Sequence, residues 1–267
     1  MSDAPKPLTV PALQAMKARG EKIATLTAYD AAFARIMDDA GLDLVLVGDS
    51  LGMAVQGHPT TLPVELDQMI YHASCVRRGL RRALLAVDLP FMTYASPKDA
   101  LCSAARLVRE AGAQMIKLEG GRHRLEVIRA LAGEDIPVCA HLGLLPQSVH
   151  RVGGYLIQGR DDRSAQLILE DALQVQEAGA SLLVLECVPA LLASEITAAL
   201  SIPTIGIGAG PDCDGQVLVC YDMLGITPKC PRFCRDFLSG AESVTAAISA
   251  YVAAVRQGTF PAPEHTF

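Results

Sequence analysis

Three segments of the chain share one pattern, and that pattern narrows its possible folds more than any other feature. DAGLDLVLVGD (Asp39–Asp49), EAGAQMIKLEG (Glu110–Gly120) and EAGASLLVLEC (Glu177–Cys187) each read as a helix end, a glycine, a short apolar strand and an acidic residue. Glycine just past a helix supplies the left-handed cap, and a short turn of this kind delivers the chain to the next strand of a parallel sheet. Strand candidates recur at Ile23–Ala28, Leu44–Gly48, Leu84–Val87, Met115–Leu118, Pro137–Ala140, Leu182–Leu185 and Pro203–Ile207, with a weaker one in Val217–Tyr221. Most are apolar on both faces, as strands covered on both sides are.

Helical stripes lie between most of these strands: Phe33, Ile36, Met37 and Ala40, then Leu101, Ala104, Ala105 and Val108, then Leu192, Ile196, Ala199 and Leu200. A βα unit repeated about eight times predicts an α/β fold, a (β/α)8 TIM barrel, over an open sheet. The 267 residues match the roughly 250 that such a barrel needs, so 1–267 reads as a single domain. An N-terminal helix is expected over residues 9–20. A C-terminal helical extension carries Val244, Ile248, Tyr251 and Val255 and stops at Gly258. The eighth strand is the weak point, because the few residues between Gly210 and Val217 cannot hold a crossover helix.

The bulk properties exclude several function classes. A net charge of −6 without a basic run argues against nucleic acid. No apolar run reaches the roughly 18 residues of a membrane span. The start, MSDAPKPLTVPALQ, lacks the basic-then-apolar order of a signal peptide. Eight cysteines, none in a CxxC pair, read as reduced residues of a leaderless chain. The spacing of Cys213, Cys220, Cys230 and Cys234 fits no zinc pattern.

Chemistry is expected at the carboxyl ends of the strands, where α/β barrels build their sites. Tyr29, Asp30, Asp49, Ser50, Asp88, Lys117, Glu119, His141 and Glu186 lie there. Lys117 and Glu119 are two apart and share a strand face, which must be the luminal one because Ile116 and Leu118 occupy the other. Asp49, Asp88 and Glu119 come from three neighbouring strands. Such acids repel in a dry pocket unless a cation offsets them, and a hard ion such as Mg²⁺ does so while leaving positions for substrate. Taken singly, each acid is as well read as a helix cap.

Glu186, expected across the barrel from the other three, suits a general base or acid. His141 is either a supporting residue or a structural histidine. Gly206, Gly208 and Gly210 either admit an anion to backbone N–H groups or pack tightly at the rim. Two long loops, Asp49–Pro63 and His141–Asp162, are expected over the same mouth.

Longer strings carry a resemblance. TAYD (Thr27–Asp30), Leu46–His58, Asp88–Ala95, KLEGG (Lys117–Gly121), His141–Val149, Gly153–Arg160, LVLECVP (Leu183–Pro189) and IGIGAG (Ile205–Gly210) closely resemble the ketopantoate hydroxymethyltransferase family. The resemblance runs from about Thr9 to the EHTF tail. It implies a barrel of the phosphoenolpyruvate/pyruvate superfamily and a cytoplasmic enzyme of pantothenate biosynthesis. It further implies hydroxymethyl transfer from 5,10-methylenetetrahydrofolate to the α-keto acid 3-methyl-2-oxobutanoate, giving 2-dehydropantoate. Mg²⁺ at Asp49, Asp88 and Glu119 is part of that implication. So are substrate contacts from Asp49, Ser50, Asp88 and Lys117, Glu186 as proton acceptor, and a homo-oligomer, often a decamer of two five-membered rings. The segment Gly225–Cys234 departs from the family's usual form.

Two other readings compete. One is an Mg²⁺-dependent lyase or mutase of the isocitrate lyase or phosphoenolpyruvate mutase type, whose cysteine-bearing lid sequence has no match here. The other is a non-catalytic binder, which requires the acids to lie dispersed as caps.

Overall fold

The computed structural model describes residues 6–228 and 230–267. Eight parallel strands close into a barrel in sequence order: β1 Ile23–Thr27, β2 Leu44–Val47, β3 Leu84–Asp88, β4 Met115–Glu119, β5 Val138–Gly143, β6 Leu182–Glu186, β7 Thr204–Ile207 and β8 Gly215–Leu218. β8 returns to β1 in the register Ile23↔Gly215 to Leu26↔Leu218. The closure is tight: a Cβ on Gly215 would lie 2.3 Å from the Ile23 carbonyl oxygen, so only glycine fits.

Local signals explain the helix ends. Thr9 caps the first helix, Val10–Arg19, and Gly20 ends it in the left-handed conformation. Asp30 accepts the Ala32 and Phe33 N–H groups at 2.8 and 2.9 Å and starts the helix Ala31–Asp39. It is therefore a cap and stands outside the site. The first helix docks at the amino-terminal face of the barrel, where Lys17 pairs with Asp214 at 2.7 Å and donates to the Thr197 carbonyl.

The eighth strand begins at Gly215, two residues earlier than expected, and no helix separates it from β7. The chain turns back through residues 208–214 and tucks the buried Cys213 against β7, where a Cβ on Gly206 would meet its sulfur at 3.0 Å. A parallel pair normally needs a helical crossover; here a short return loop packed on the strand replaces it.

The outer helices bury small residues. Pro97–Ala111 turns Ala100, Ser103, Ala104, Leu107 and Ala111 inward, while Val108 is exposed. The stripe expected through Leu101 and Val108 is thus one residue out of phase. Both phases satisfy the helical period, and the one rich in alanine lets the helix approach its neighbours closely. After β8 the chain forms Cys220–Met223, then an irregular stretch, then the helix Val244–Arg256. In that helix the buried Tyr251 donates to the carbonyls of Thr25 on β1 and Gln216 on β8, tying the extension to the barrel seam. Among the described residues no helix is long and apolar enough to cross a membrane.

Candidate active site

The strands end beneath a cavity of about 910 Å³. Seven of the nine residues expected at the strand ends line it, Tyr29 and Asp30 being the exceptions: Asp49, Ser50, Asp88, Lys117, Glu119, His141 and Glu186. All but Ser50 and Glu186 are buried outright. Asp88, Glu119 and Glu186 are the last residues of β3, β4 and β6, and Asp49 follows β2 by two positions.

These side chains form one unbroken line of polar contacts. The Lys117 ammonium pairs with Asp88 Oδ1 at 2.8 Å, and Asp88 Oδ2 accepts the Asp49 backbone N–H at 3.1 Å. Asp49 Oδ2 accepts from Gln147 Nε2 at 2.8 Å, and Glu119 Oε2 accepts from the Gln147 backbone N–H at 3.0 Å. His141 follows, with Nδ1 3.6 Å from Glu119 Oε1 and Nε2 3.2 Å from Glu186 Oε2. Both are ion-pair distances, but neither contact has hydrogen-bond geometry. Ser50 is held by the Tyr29 hydroxyl at 2.8 Å.

The electrostatics follow from burial and crowding. Burial most of all, then Asp88 and Glu119, holds the Asp49 carboxyl well above its usual range. Burial works against the Lys117 ammonium, yet Asp88, Glu119 and Asp49 together raise its pKa. Burial and Lys117 also disfavour the His141 imidazolium, but Glu119 and Glu186 outweigh them and its pKa is raised. Three carboxylates thus share one ammonium, leaving a surplus of negative charge on oxygen donors alone. That donor set fits a hard divalent ion. Among the described residues no three His, Cys, Asp or Glu side chains are grouped closely enough to cage one. An ion here would complete its shell with water or substrate oxygen, as Mg²⁺ commonly does.

Two expectations about position need correction. Glu186 is not across the barrel from all three acids: β5 alone separates it from Glu119, and His141 spans the gap. Only closure of the sheet fixes which strands face each other, so a linear reading overestimated the distance. His141 does not open the long loop; it lies inside β5, because β5 continues to Gly143.

The two long loops do meet over the mouth, where the Tyr155 hydroxyl reaches Met53 Sδ at 3.2 Å. The first contains a helical turn, Leu51–Ala54. The divergent stretch Gly225–Cys234 supplies Ile226, Thr227, Pro228, Arg232 and Phe233 to the same rim; its Lys229 lies outside the described residues. Gly208 and Gly210 adopt positive φ, and a Cβ on them would meet Phe233 at 2.9 Å and Ala190 at 2.6 Å. The crowding accounts for these glycines as close packing at the rim.

Sequence reasoning missed Gln147 and Tyr94. Gln147 is buried, and besides Asp49 its Nε2 reaches the Leu89 carbonyl at 3.0 Å. Its Oε1 accepts from the Tyr94 hydroxyl. The only signal was a glutamine after a proline in a long loop beside an acid-rich site, which is too common to single out.

The barrel has counterparts among solved structures. A putative phosphonomutase from Burkholderia cenocepacia aligns with a TM-score of 0.64 at 20% identity, over 82% of this chain and 95% of that one. The 2,3-dimethylmalate lyase of the phosphoenolpyruvate mutase/isocitrate lyase superfamily aligns at 0.59 and 18%, over 82% and 83%. At such identities the likeness defines the fold, a (β/α)8 barrel, and nothing narrower.

Sequence narrows it. A profile of the ketopantoate hydroxymethyltransferase family matches residues 7–263. The 3-methyl-2-oxobutanoate hydroxymethyltransferase of Methylococcus capsulatus is 60% identical over 261 residues, 98% of this chain and 97% of that protein. The enzyme of the same name from Thiobacillus denitrificans is 59% identical over 262 residues, 98% and 100% of the two chains. The chain belongs to the ketopantoate hydroxymethyltransferase family.

Proposed function

We propose that this enzyme transfers a hydroxymethyl group from 5,10-methylenetetrahydrofolate to 3-methyl-2-oxobutanoate, giving 2-dehydropantoate for pantothenate biosynthesis. The observation that carries the reading is the cavity floor, where three carboxylates and one ammonium face a further carboxylate, Glu186, a strand's width away. A divalent cation bound at Asp49, Asp88 and Glu119, with Mg²⁺ the expected one, would polarise the 2-keto oxygen and stabilise the negative charge that develops there.

The protein's own groups do the rest. Lys117, locked by Asp88, offers a fixed positive charge to the substrate carboxylate or enolate oxygen. Ser50, held by Tyr29, offers a hydroxyl beside it. One water cleaves the one-carbon unit from the folate nitrogens at the formaldehyde level, releasing tetrahydrofolate. Glu186 accepts the proton from C3, and the resulting carbanion forms the new C–C bond to that carbon, whose oxygen takes up a proton to become the product hydroxyl. His141, with Nε2 3.2 Å from Glu186 Oε2, stands beside that carboxylate and feels its charge. A five-carbon keto acid leaves much of the 910 Å³ free, and the apolar rim of Met53, Tyr155, Leu156, Ile226 and Phe233 suits the flat body of a folate. The two loops that meet there restrict solvent access, so that the water the transfer consumes is held in the site rather than drawn from bulk.

A cytoplasmic setting agrees with the eight free thiols. Assembly into a homo-oligomer, a decamer in this reading, agrees with strongly exposed apolar residues such as Leu191 and Tyr71, and sedimentation velocity tests it. The test of function is product formation from 3-methyl-2-oxobutanoate and 5,10-methylenetetrahydrofolate, with and without chelator. Turnover that requires both substrates and returns on adding Mg²⁺ supports the reading, and no turnover with the metal-replete protein refutes it.

A further inference from the structure

We propose that Gln147 is a positioning residue that sets the Asp49 carboxylate toward the cavity, and that Tyr94 locks Gln147 in the one amide orientation able to do so. The inference rests on the reading above, in which Asp49 and Glu119 serve a divalent ion and a keto acid.

Asp49 has the greatest need of such help. The one ammonium of the cluster is already bound to Asp88. Asp88 and Glu119 both push on the Asp49 charge, so its carboxylate has reason to rotate away from its neighbours. The side-chain hydrogen bond it accepts comes from Gln147 Nε2, to Oδ2. That bond fixes the carboxylate plane and leaves Oδ1 for a ligand.

The amide can bind in one orientation only. Asp49 Oδ2 and the Leu89 carbonyl are both acceptors and must face the NH₂ group. A flipped amide would set oxygen against oxygen at both contacts. The Tyr94 hydroxyl donates to Oε1 and completes the set, so each polar atom of the buried side chain has its partner. The backbone N–H of the same residue holds Glu119 Oε2. One residue of the loop after β5 therefore orders acids from β2 and β4, strands that are not neighbours. Because the Glu119 contact is made by backbone, a side-chain substitution reports on the Asp49 side alone.

The experiment compares wild type, Gln147→Met, Tyr94→Phe and the double variant, with Mn²⁺ as the probe ion. Mn²⁺ affinity is measured by calorimetry, transfer by kcat and KM, and folding by thermal melts. Residues that orient metal ligands typically contribute about 10–100-fold in affinity. Gln147→Met should weaken Mn²⁺ binding by about that factor and raise the keto-acid KM. Tyr94→Phe should move both in the same direction by less. The Tyr94 hydroxyl also accepts from the Glu119 backbone N–H at 3.4 Å, so the double variant should lose clearly less than the sum of the two single losses, the shortfall being the part that Tyr94 exerts through Gln147.

A purely structural role would lower the melting temperature and leave Mn²⁺ affinity of the folded protein unchanged; that result overturns the proposal. Additive losses in the double variant overturn the part given to Tyr94. Should Gln147→Met fail to fold, Tyr94→Phe decides: wild-type Mn²⁺ affinity in that variant overturns the proposal. Wild type that neither turns over nor binds Mn²⁺ sinks the functional reading instead, a result separable from wild type that does both while the variants match it.

Discussion

Replacing Lys117 by methionine removes, among the described residues, the only ammonium lining the cavity, from beside the carboxylates of Asp49, Asp88 and Glu119. The side chain is 6% exposed and its partner Asp88 is 5% exposed, so water cannot take its place. Removing one partner of a buried pair costs roughly 3–5 kcal/mol. For a domain of this size each kcal/mol lowers the melting temperature by about 2–4 °C, so a fall of about 6–20 °C is expected at pH 7.5 in chelator. The pH dependence has a definite sign. The Asp49 carboxyl, already raised by burial, Asp88 and Glu119, loses with Lys117 the charge that opposes that rise, so the folded state holds its proton more tightly than the unfolded one. Stability then falls as pH rises, by up to about 1.4 kcal/mol per pH unit for that proton. The deficit against wild type should shrink toward pH 5. Millimolar Mg²⁺ should restore part of it, because a cation among the acids replaces the lost charge. The assay is differential scanning calorimetry of both proteins from pH 5 to pH 8.5, with chelator or Mg²⁺. A variant that melts within 2 °C of wild type throughout would refute the account, because it would mean that the three acids do not share one unscreened pocket.

Other perturbations separate the roles. Glu186→Gln keeps the shape but loses the base: C3 proton exchange, followed by deuterium incorporation, should drop about 10²–10⁴-fold while keto-acid binding by calorimetry changes little, and rapid exchange would remove Glu186 from the role. Gly143→Ala sets a Cβ 2.2 Å from the Glu186 carbonyl oxygen at a φ of 91°. It should cost at least about 1–3 kcal/mol in chemical denaturation and slow turnover by moving Glu186; wild-type stability would contradict the packing. Asp43→Ala strips buried partners from Arg82 and Arg256 at the opposite face of the barrel. It should destabilise by roughly 1–3 kcal/mol, since the Ala24 backbone N–H loses its buried acceptor while both arginines still reach water, with kcat and KM unchanged in the folded protein, and a kinetic defect would link the two faces.

The sequence made the repeat legible because a barrel is a sum of local decisions. Three of the βα units carry their own glycine stop, strand and acid, and Asp88 ends β3 in the same manner, so Asp49, Asp88, Lys117, Glu119 and Glu186 could be placed at strand ends without knowing how the sheet closes. Two kinds of feature escaped. The first is phase: the helix Pro97–Ala111 has two apolar stripes of equal period, and only packing selects the alanine-rich one. The second is any contact between units that lie far apart in the chain. Gln147 reaches Asp49 across 98 positions, and no spacing rule can propose such a partner for a glutamine in a loop.

The placement of His141 shows why the second kind matters for chemistry. From the sequence, the acids near β2, β3 and β4 and the acid on β6 look like two groups with separate tasks, one for an ion and one for a proton. Closing the barrel places β5 between them, and its buried imidazole stands within 3.6 Å of Glu119 and 3.2 Å of Glu186. Both carboxylates favour the imidazolium, so neither can gain or lose charge without changing the other's surroundings. A cation that draws Glu119 toward itself weakens one of the two interactions holding the imidazolium and changes the field on Glu186. Under the proposed roles of ion site and base, the two tasks would be electrostatically joined through one ring, and loading the acid cluster would change the surroundings of Glu186. The expected consequence is that Glu119→Gln depresses C3 proton exchange even when keto acid is saturating. Exchange at the wild-type rate in that variant would show the two ends of the site to be independent.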